Sequence, residues 1–266
     1  MQDKEMRFYQ QKVIKSGRFI EIYEYEEPQV MLDGLQVERE KKADDWLTTN
    51  TEVIRERQEE VSRRARKNFR RLIEANAGLH KATDKFLTLT FAENITDRTF
   101  AIKEFSKFIY KLRRKYGAFG YIAVTEYQER GAIHFHAVLF NFPFVPKEEL
   151  PKLQKMWGFG WIDLKAIKDT FRLTNYLSKY FTKTFEEMKH PKEKRFFRSK
   201  NLRVPEEAKM MELNNIDALG LPVYEQVYRM QYVGNVRYRK IRLFDQAKDL
   251  SLKEIMKKGD EEDDKV

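Results

Sequence analysis

The chain has no cysteine, which excludes a disulfide scaffold and any cysteine-ligated zinc site. It has no run of about 18 apolar residues, so no membrane-spanning helix is expected. Residues 1–15 alternate charge with aromatic side chains and lack the apolar stretch of a secretory signal. A soluble, intracellular protein with no membrane partner is the expectation. No G-x-x-x-x-G-K-[ST] sequence occurs, so no P-loop ATPase or helicase is expected within these residues. There is no internal repeat, and histidine is scarce, at 4 of 266 residues.

Aromatic residues and positive charge are plentiful. With 41% hydrophobic residues, 20 Phe and 13 Tyr, the chain has the composition of a folded protein. Its 52 Lys and Arg outnumber 42 Asp and Glu, giving +10 at pH 7. That balance favours a polyanionic partner, because each phosphate neutralised by a cation releases condensed counterions.

The hydrophobic periodicity indicates mixed elements. Residues 19–25 read as a strand, followed by a loop around Pro28 to Gly34. Between residues 52 and 76, Val61, Ala65, Phe69, Leu72 and Ile73 recur at helical spacing among many arginines and lysines. This face is either simply solvated or contacts phosphates through residues such as Arg63, Arg66, Lys67 and Arg70. Residues 86–91 are rich in strand formers. A helix is expected from an Asp97 cap to Tyr116, with Gly117 stopping it. Residues 121–128 and 132–140 read as a hairpin and residues 161–164 as a short strand. Thr170 caps a helix reaching about Met188, and residues 223–243 form a strand region. The order suggests an α+β fold with an antiparallel sheet flanked by helices. The expected organisation is an N-terminal extension with a basic helix (1–80), a catalytic core (81–190), a basic, strand-rich region completing that domain (191–250) and a disordered acidic tail (251–266).

Two of the four histidines are His134 and His136. Residues two apart on a strand share a face, so both imidazoles can approach one ion. Buried histidines satisfied by backbone partners are common, so the pair needs a third group, and Glu126 on the preceding strand is the candidate. Directly opposed residues of an antiparallel pair share a face. A two-residue loop at 130–131 would set Glu126 opposite Phe135, on the wrong face. A three-residue loop, 129–131, sets it opposite His134 and places Gly131 where a positive φ is required. Two imidazoles and a carboxylate leave coordination positions open and suit Mg²⁺ or Mn²⁺, although histidines also suit zinc.

The segment 175–183 holds Tyr176 and Tyr180 four apart, with Lys179 and Lys183 beside them on a helical face. An isolated Tyr-x-x-x-Tyr is ordinarily a packing feature. Beside a metal site, however, a tyrosine hydroxyl can attack a phosphodiester, form a phosphotyrosine and release a 3′-hydroxyl. A phenol with a pKa of about 10 needs help at neutral pH, and neighbouring cations such as Lys179 favour the phenolate.

Taken in order, Phe86-Leu87-Thr88-Leu89-Thr90, His134-Phe135-His136 and Tyr176-Leu177-Ser178-Lys179-Tyr180 resemble the motifs of the HUH rolling-circle replication initiators of small bacterial plasmids and single-stranded-DNA phages. The two-tyrosine form is similar to that of the icosahedral coliphage initiators. The resemblance implies an HUH-type, ferredoxin-like (RRM-like) sheet of about five antiparallel strands with the histidine strand central. It implies Mg²⁺ or Mn²⁺ on the two histidines and a third ligand, with Tyr176 as primary nucleophile and Tyr180 as a second nucleophile or neighbour. The partners implied are single-stranded or hairpin origin DNA and a host helicase and polymerase, in the bacterial cytoplasm. The basic stretch containing Arg195 and Arg198 is similar to segments that follow the tyrosine helix in plasmid initiators. A relaxase often carries a third histidine four residues beyond the second, where this chain has Phe140. A single-strand transposase would use the same chemistry, and a non-enzymatic nucleic-acid-binding sheet would use the aromatic residues without it.

Overall fold

The computed structural model describes residues 7–31, 51–80, 84–167, 194, 196–213, 216–231 and 233–263. The chain divides into two units, residues 48–203 and the two flanks 1–47 with 204–266. Among the described residues each unit is built on a five-stranded antiparallel sheet, giving an α+β protein with sheets flanked by helices. No helix among them is long and apolar enough to cross a membrane.

The central unit contains α1 (Thr51–Asn76), β3 (Lys85–Thr90), α2 (Arg98–Tyr116), β4 (Gly120–Tyr127), β5 (Ile133–Phe140), α3 (Leu150–Trp157), β6 (Ile162–Ala166) and β7 (Phe197–Arg198). Its strand order is β6-β3-β5-β4-β7, so the histidine strand β5 is central. Period-two alternation gives this sheet two dissimilar faces. On one, Leu87, Leu89, Ala123, Ile133, Phe135, Ala137, Leu139 and Ile162 pack with Phe105, Phe108 and Leu112 of α2 and Leu153 and Trp157 of α3. Phe135, between the two histidines, is fully buried and stacks on Phe105 with ring centroids 4.6 Å apart. Burying such a ring is worth about 1.5–3 kcal/mol. On the other face, Phe69, Leu72 and Ile73 of α1 cover Phe86, Ile122, Val124, Val138 and Phe140. α2 begins at the expected cap, where the Asp97 carboxylate accepts from the Thr99 and Phe100 N–H groups at 2.8 and 3.2 Å. It ends at Gly117, φ +85°.

The flanking unit corrects the expected organisation. Residues 206–243 do not complete the histidine domain; only β7 joins that sheet. Instead β1 (Phe8–Ser16) and β2 (Phe19–Val30) pair with β8 (Glu206–Met210), β9 (Gly220–Met230) and β10 (Gly234–Leu243) in the order β8-β1-β2-β10-β9. Pairing between residues so far apart in the chain leaves no periodicity signal, so each segment in isolation reads as an appendage. The tail, expected to be disordered, forms α4 (Leu252–Asp263). Its Leu252 and Ile255 are buried with Val13, Ile20, Ile22 and Ile241. A capping box starts it: the Ser251 N–H donates to the Glu254 carboxylate at 2.7 Å, and the Glu254 N–H to Ser251 Oγ at 3.3 Å. The run of acids masks that signal. The strand expected at 19–25 also continues through Pro28 to Val30.

Candidate active site

The hairpin sets the site. The Gln128 N–H donates to the Ala132 carbonyl at 2.9 Å, and the Gly131 N–H to the Gln128 carbonyl at 2.7 Å. Three residues, 129–131, therefore form the loop, and Gly131 has φ +86°. Arg130 ties the loop to the end of β3 by donating to the Phe91 and Ala92 carbonyls at 2.7 and 3.1 Å. In the resulting register Glu126 lies opposite His134 and Val124 opposite His136.

Pairing on the other side of β5 extends two rows across the sheet. Thr90 lies opposite His134 and Thr88 opposite His136, while Asp163 of β6 lies opposite Thr88. All of these share the α1-covered face, beyond its apolar part. The boundary is visible at Phe86, whose ring stacks on His136 at 5.7 Å and 12°.

His136 is buried and held at both nitrogens. Its Nε2 lies 2.7 Å from Glu126 Oε2 and its Nδ1 3.2 Å from Thr88 Oγ1. An ionised carboxylate has no proton to give, so Nε2–H donates to it, and in the neutral ring Nδ1 accepts from the threonine hydroxyl. His134 differs. Its Nε2 is buried without a hydrogen-bond partner. Its pKa is lowered, first by burial and then by His136, against an opposing pull from Glu126. The result is a neutral imidazole with an unsatisfied nitrogen beside a carboxylate. A buried polar atom of this kind is costly unless something completes it.

The donor set is chemically suited to a divalent cation, two imidazoles and one carboxylate on one face with one nitrogen unsatisfied. As placed, no three His, Asp or Glu side chains among the described residues converge on a common ion position; the Glu126 carboxylate is turned to His136 instead. Of the basic residues singled out in the sequence, Arg63 and Lys67 are exposed on α1, and Arg66 and Arg70 are half-buried there. Arg70 Nε lies 3.9 Å from Glu74 Oε1. Arg198 is exposed on β7, opposite Ile122. Tyr176, Lys179, Tyr180, Lys183 and Arg195 lie outside the described residues. Sequence reasoning misses Thr88 and Asp163 as site residues. The alternation Leu87-Thr88-Leu89-Thr90, with leucines buried, is the signal that carries the two threonines.

Residues 84–185 match a family of replication-associated proteins, the ORF2 type. The interval begins just before β3, contains both histidines and Glu126, and runs through the tyrosine segment. The match supports assignment to a replication initiator family. No curated protein and no solved structure matches the chain.

Proposed function

We propose that this protein initiates rolling-circle replication by nicking single-stranded origin DNA, and that it works through the histidine face of the central sheet. The observation carrying this reading is the unsatisfied His134 Nε2 beside Glu126 and His136, within an interval that matches a replication-associated family. His134, His136 and Glu126 would hold Mg²⁺ or Mn²⁺. Such an ion polarises a phosphodiester as a Lewis acid and offsets charge on the transition state. For His136 to ligate through Nε2 its proton must sit on Nδ1, donated to Thr88 Oγ1. The threonine hydroxyl can accept as readily as donate, so it serves either tautomer.

In this reading the Tyr176 phenol oxygen attacks phosphorus, the bond from phosphorus to the 3′ oxygen breaks, and the 3′-hydroxyl leaves. The phenol proton is lost and the leaving oxygen gains one. The 5′-phosphotyrosine keeps the linkage energy, so the 3′-hydroxyl can later attack it and rejoin the strand. Lys179 favours the phenolate, and Tyr180 serves a second transfer. Arg63, Arg66, Lys67, Arg70, Lys183, Arg195 and Arg198 would contact phosphates. A host helicase and polymerase would complete replication in the bacterial cytoplasm. Phe140, where many relaxases carry a third histidine, is buried under α1, which favours an initiator over a relaxase.

The test is incubation with single-stranded origin DNA and Mn²⁺, followed by denaturing electrophoresis. A protein–DNA adduct is expected, lost in Tyr176→Phe and in His134→Ala/His136→Ala. Absence of an adduct with every divalent ion refutes the nickase reading. An adduct that persists in Tyr176→Phe but is lost in Tyr180→Phe reverses the assignment of the nucleophile.

A further inference from the structure

We infer that the indole of Trp161 is a stacking platform for one base of the single strand bound at the histidine site. This rests on the nickase reading and adds to it a residue that positions the substrate. The row through His134 does not stop at Thr90. The Thr90 N–H donates to the Trp161 carbonyl at 2.9 Å, carrying the β3–β6 ladder one residue beyond the start of β6. Leu89 pairs with Ile162, and Ile162 packs against α2 and α3. By alternation Trp161 belongs to the opposite face, that of Thr90, His134 and Glu126. Across β4, β5, β3 and the start of β6 the row therefore reads Glu126, His134, Thr90, Trp161. Two strand spacings, about 10 Å, separate the last from His134.

The exposure of Trp161 is the second observation. Its side chain is 64% exposed, whereas Trp157 is 2% exposed and donates its indole N–H to the Thr90 carbonyl at 3.1 Å. The backbone beneath Trp161 is fixed. Gly160 has φ +150°, and an added Cβ there would lie 2.5 Å from the Thr90 carbonyl oxygen and 2.6 Å from the Ala92 nitrogen. A rigidly based, water-exposed indole beside a site for a phosphodiester matches what an unpaired nucleobase recognises. Every base has a π face, so stacking is tolerant of sequence, and the ring need lose little freedom on binding.

The test uses the full chain in EDTA, so that no cleavage intervenes, with a fluorescein-labelled oligothymidylate read by anisotropy. Parent, Trp161→Ala, Trp161→Phe and Tyr110→Ala are compared, the last removing an equally exposed ring (63%) from α2. One base–aromatic stack corresponds to a loss of about 5- to 150-fold. Trp161→Ala should show such a loss, Trp161→Phe should bind within a few fold of parent, and Tyr110→Ala should bind as parent. A single abasic site walked along the oligonucleotide should weaken parent at one position and leave Trp161→Ala unaffected there. If the parent binds and nicks single strands but Trp161→Ala binds equally well, or is as sensitive to the abasic site, the stacking inference is overturned and the nickase reading stands. If the parent binds no single strand, the reading itself fails and takes the inference with it.

Discussion

The register that brings Glu126 to His134 depends on one backbone conformation, which makes Gly131 a measurable point. At φ +86° an alanine pays the penalty of the left-handed region, roughly 1–2 kcal/mol. No steric term adds to it, because a Cβ at Gly131 would meet only Thr96 Cγ2 at 3.7 Å, an ordinary contact. Asparagine tolerates this region better than alanine does. Gly131→Ala should therefore lose roughly 1–2 kcal/mol and Gly131→Asn distinctly less. With urea slopes of about 1–3 kcal/mol/M, the alanine midpoint should fall by about 0.5–1.5 M, followed by tryptophan fluorescence. An alanine variant indistinguishable from parent, or an asparagine variant as unstable as the alanine one, would refute the conformational argument.

Gly160→Ala should destabilise more, by about 2–4 kcal/mol in the same urea assay, since its Cβ would meet backbone of β3 and the residues after it rather than a side chain that can yield. Thr88→Val removes the partner of the buried His136 Nδ1 and should cost about 1–3 kcal/mol, with Thr88→Ser near parent; unfolding midpoints decide it. Nitrogen-detected NMR of the metal-free protein should find the His136 proton on Nε2. His134 has a folded pKa below its ordinary value of about 6.5. Below that value the unfolded state takes up the proton more readily, so the His134 contribution should rise with pH up to about 6.5 and flatten above it. His134→Gln should remove that slope from unfolding free energies measured without metal.

What is legible in the sequence is local. The loop length, Gly131 and the pairing of Glu126 with His134 follow from turn chemistry acting within a single hairpin. The Asp97 cap and Gly117 stop are equally local. What is not legible is carried by distance. β1 and β2 recruit partners from residues 206–243, and no pattern within either segment names the other. Pairing at the far side of β5 likewise brings in Thr88, Asp163 and Trp161, which lie far from the histidines along the chain. The α4 capping box is readable, yet Leu252, Ile255 and Met256 at helical spacing are outweighed by the acids after them.

The residues between and beyond the histidines explain why the site sits where it does. Ile133, Phe135, Ala137 and Leu139 are each at most 1% exposed and anchor β5 in the α2–α3 core. The alternate series changes character along the strand: His134 and His136 are polar, whereas Val138 and Phe140 are apolar and lie beneath α1. A helix can cover the second half of that face at a gain and the first half only at the cost of desolvating imidazoles and a carboxylate. The apolar half thus draws Phe69, Leu72 and Ile73 onto itself and leaves the polar half at the margin of the cluster. A one-residue slip of β5 would bury the histidines in the α2–α3 core and expel Phe135, so the packing that stabilises the sheet also fixes the register of the ligands. The donor groups are thereby held by a central strand rather than a loop, which is the arrangement that gives a reactive site its precision.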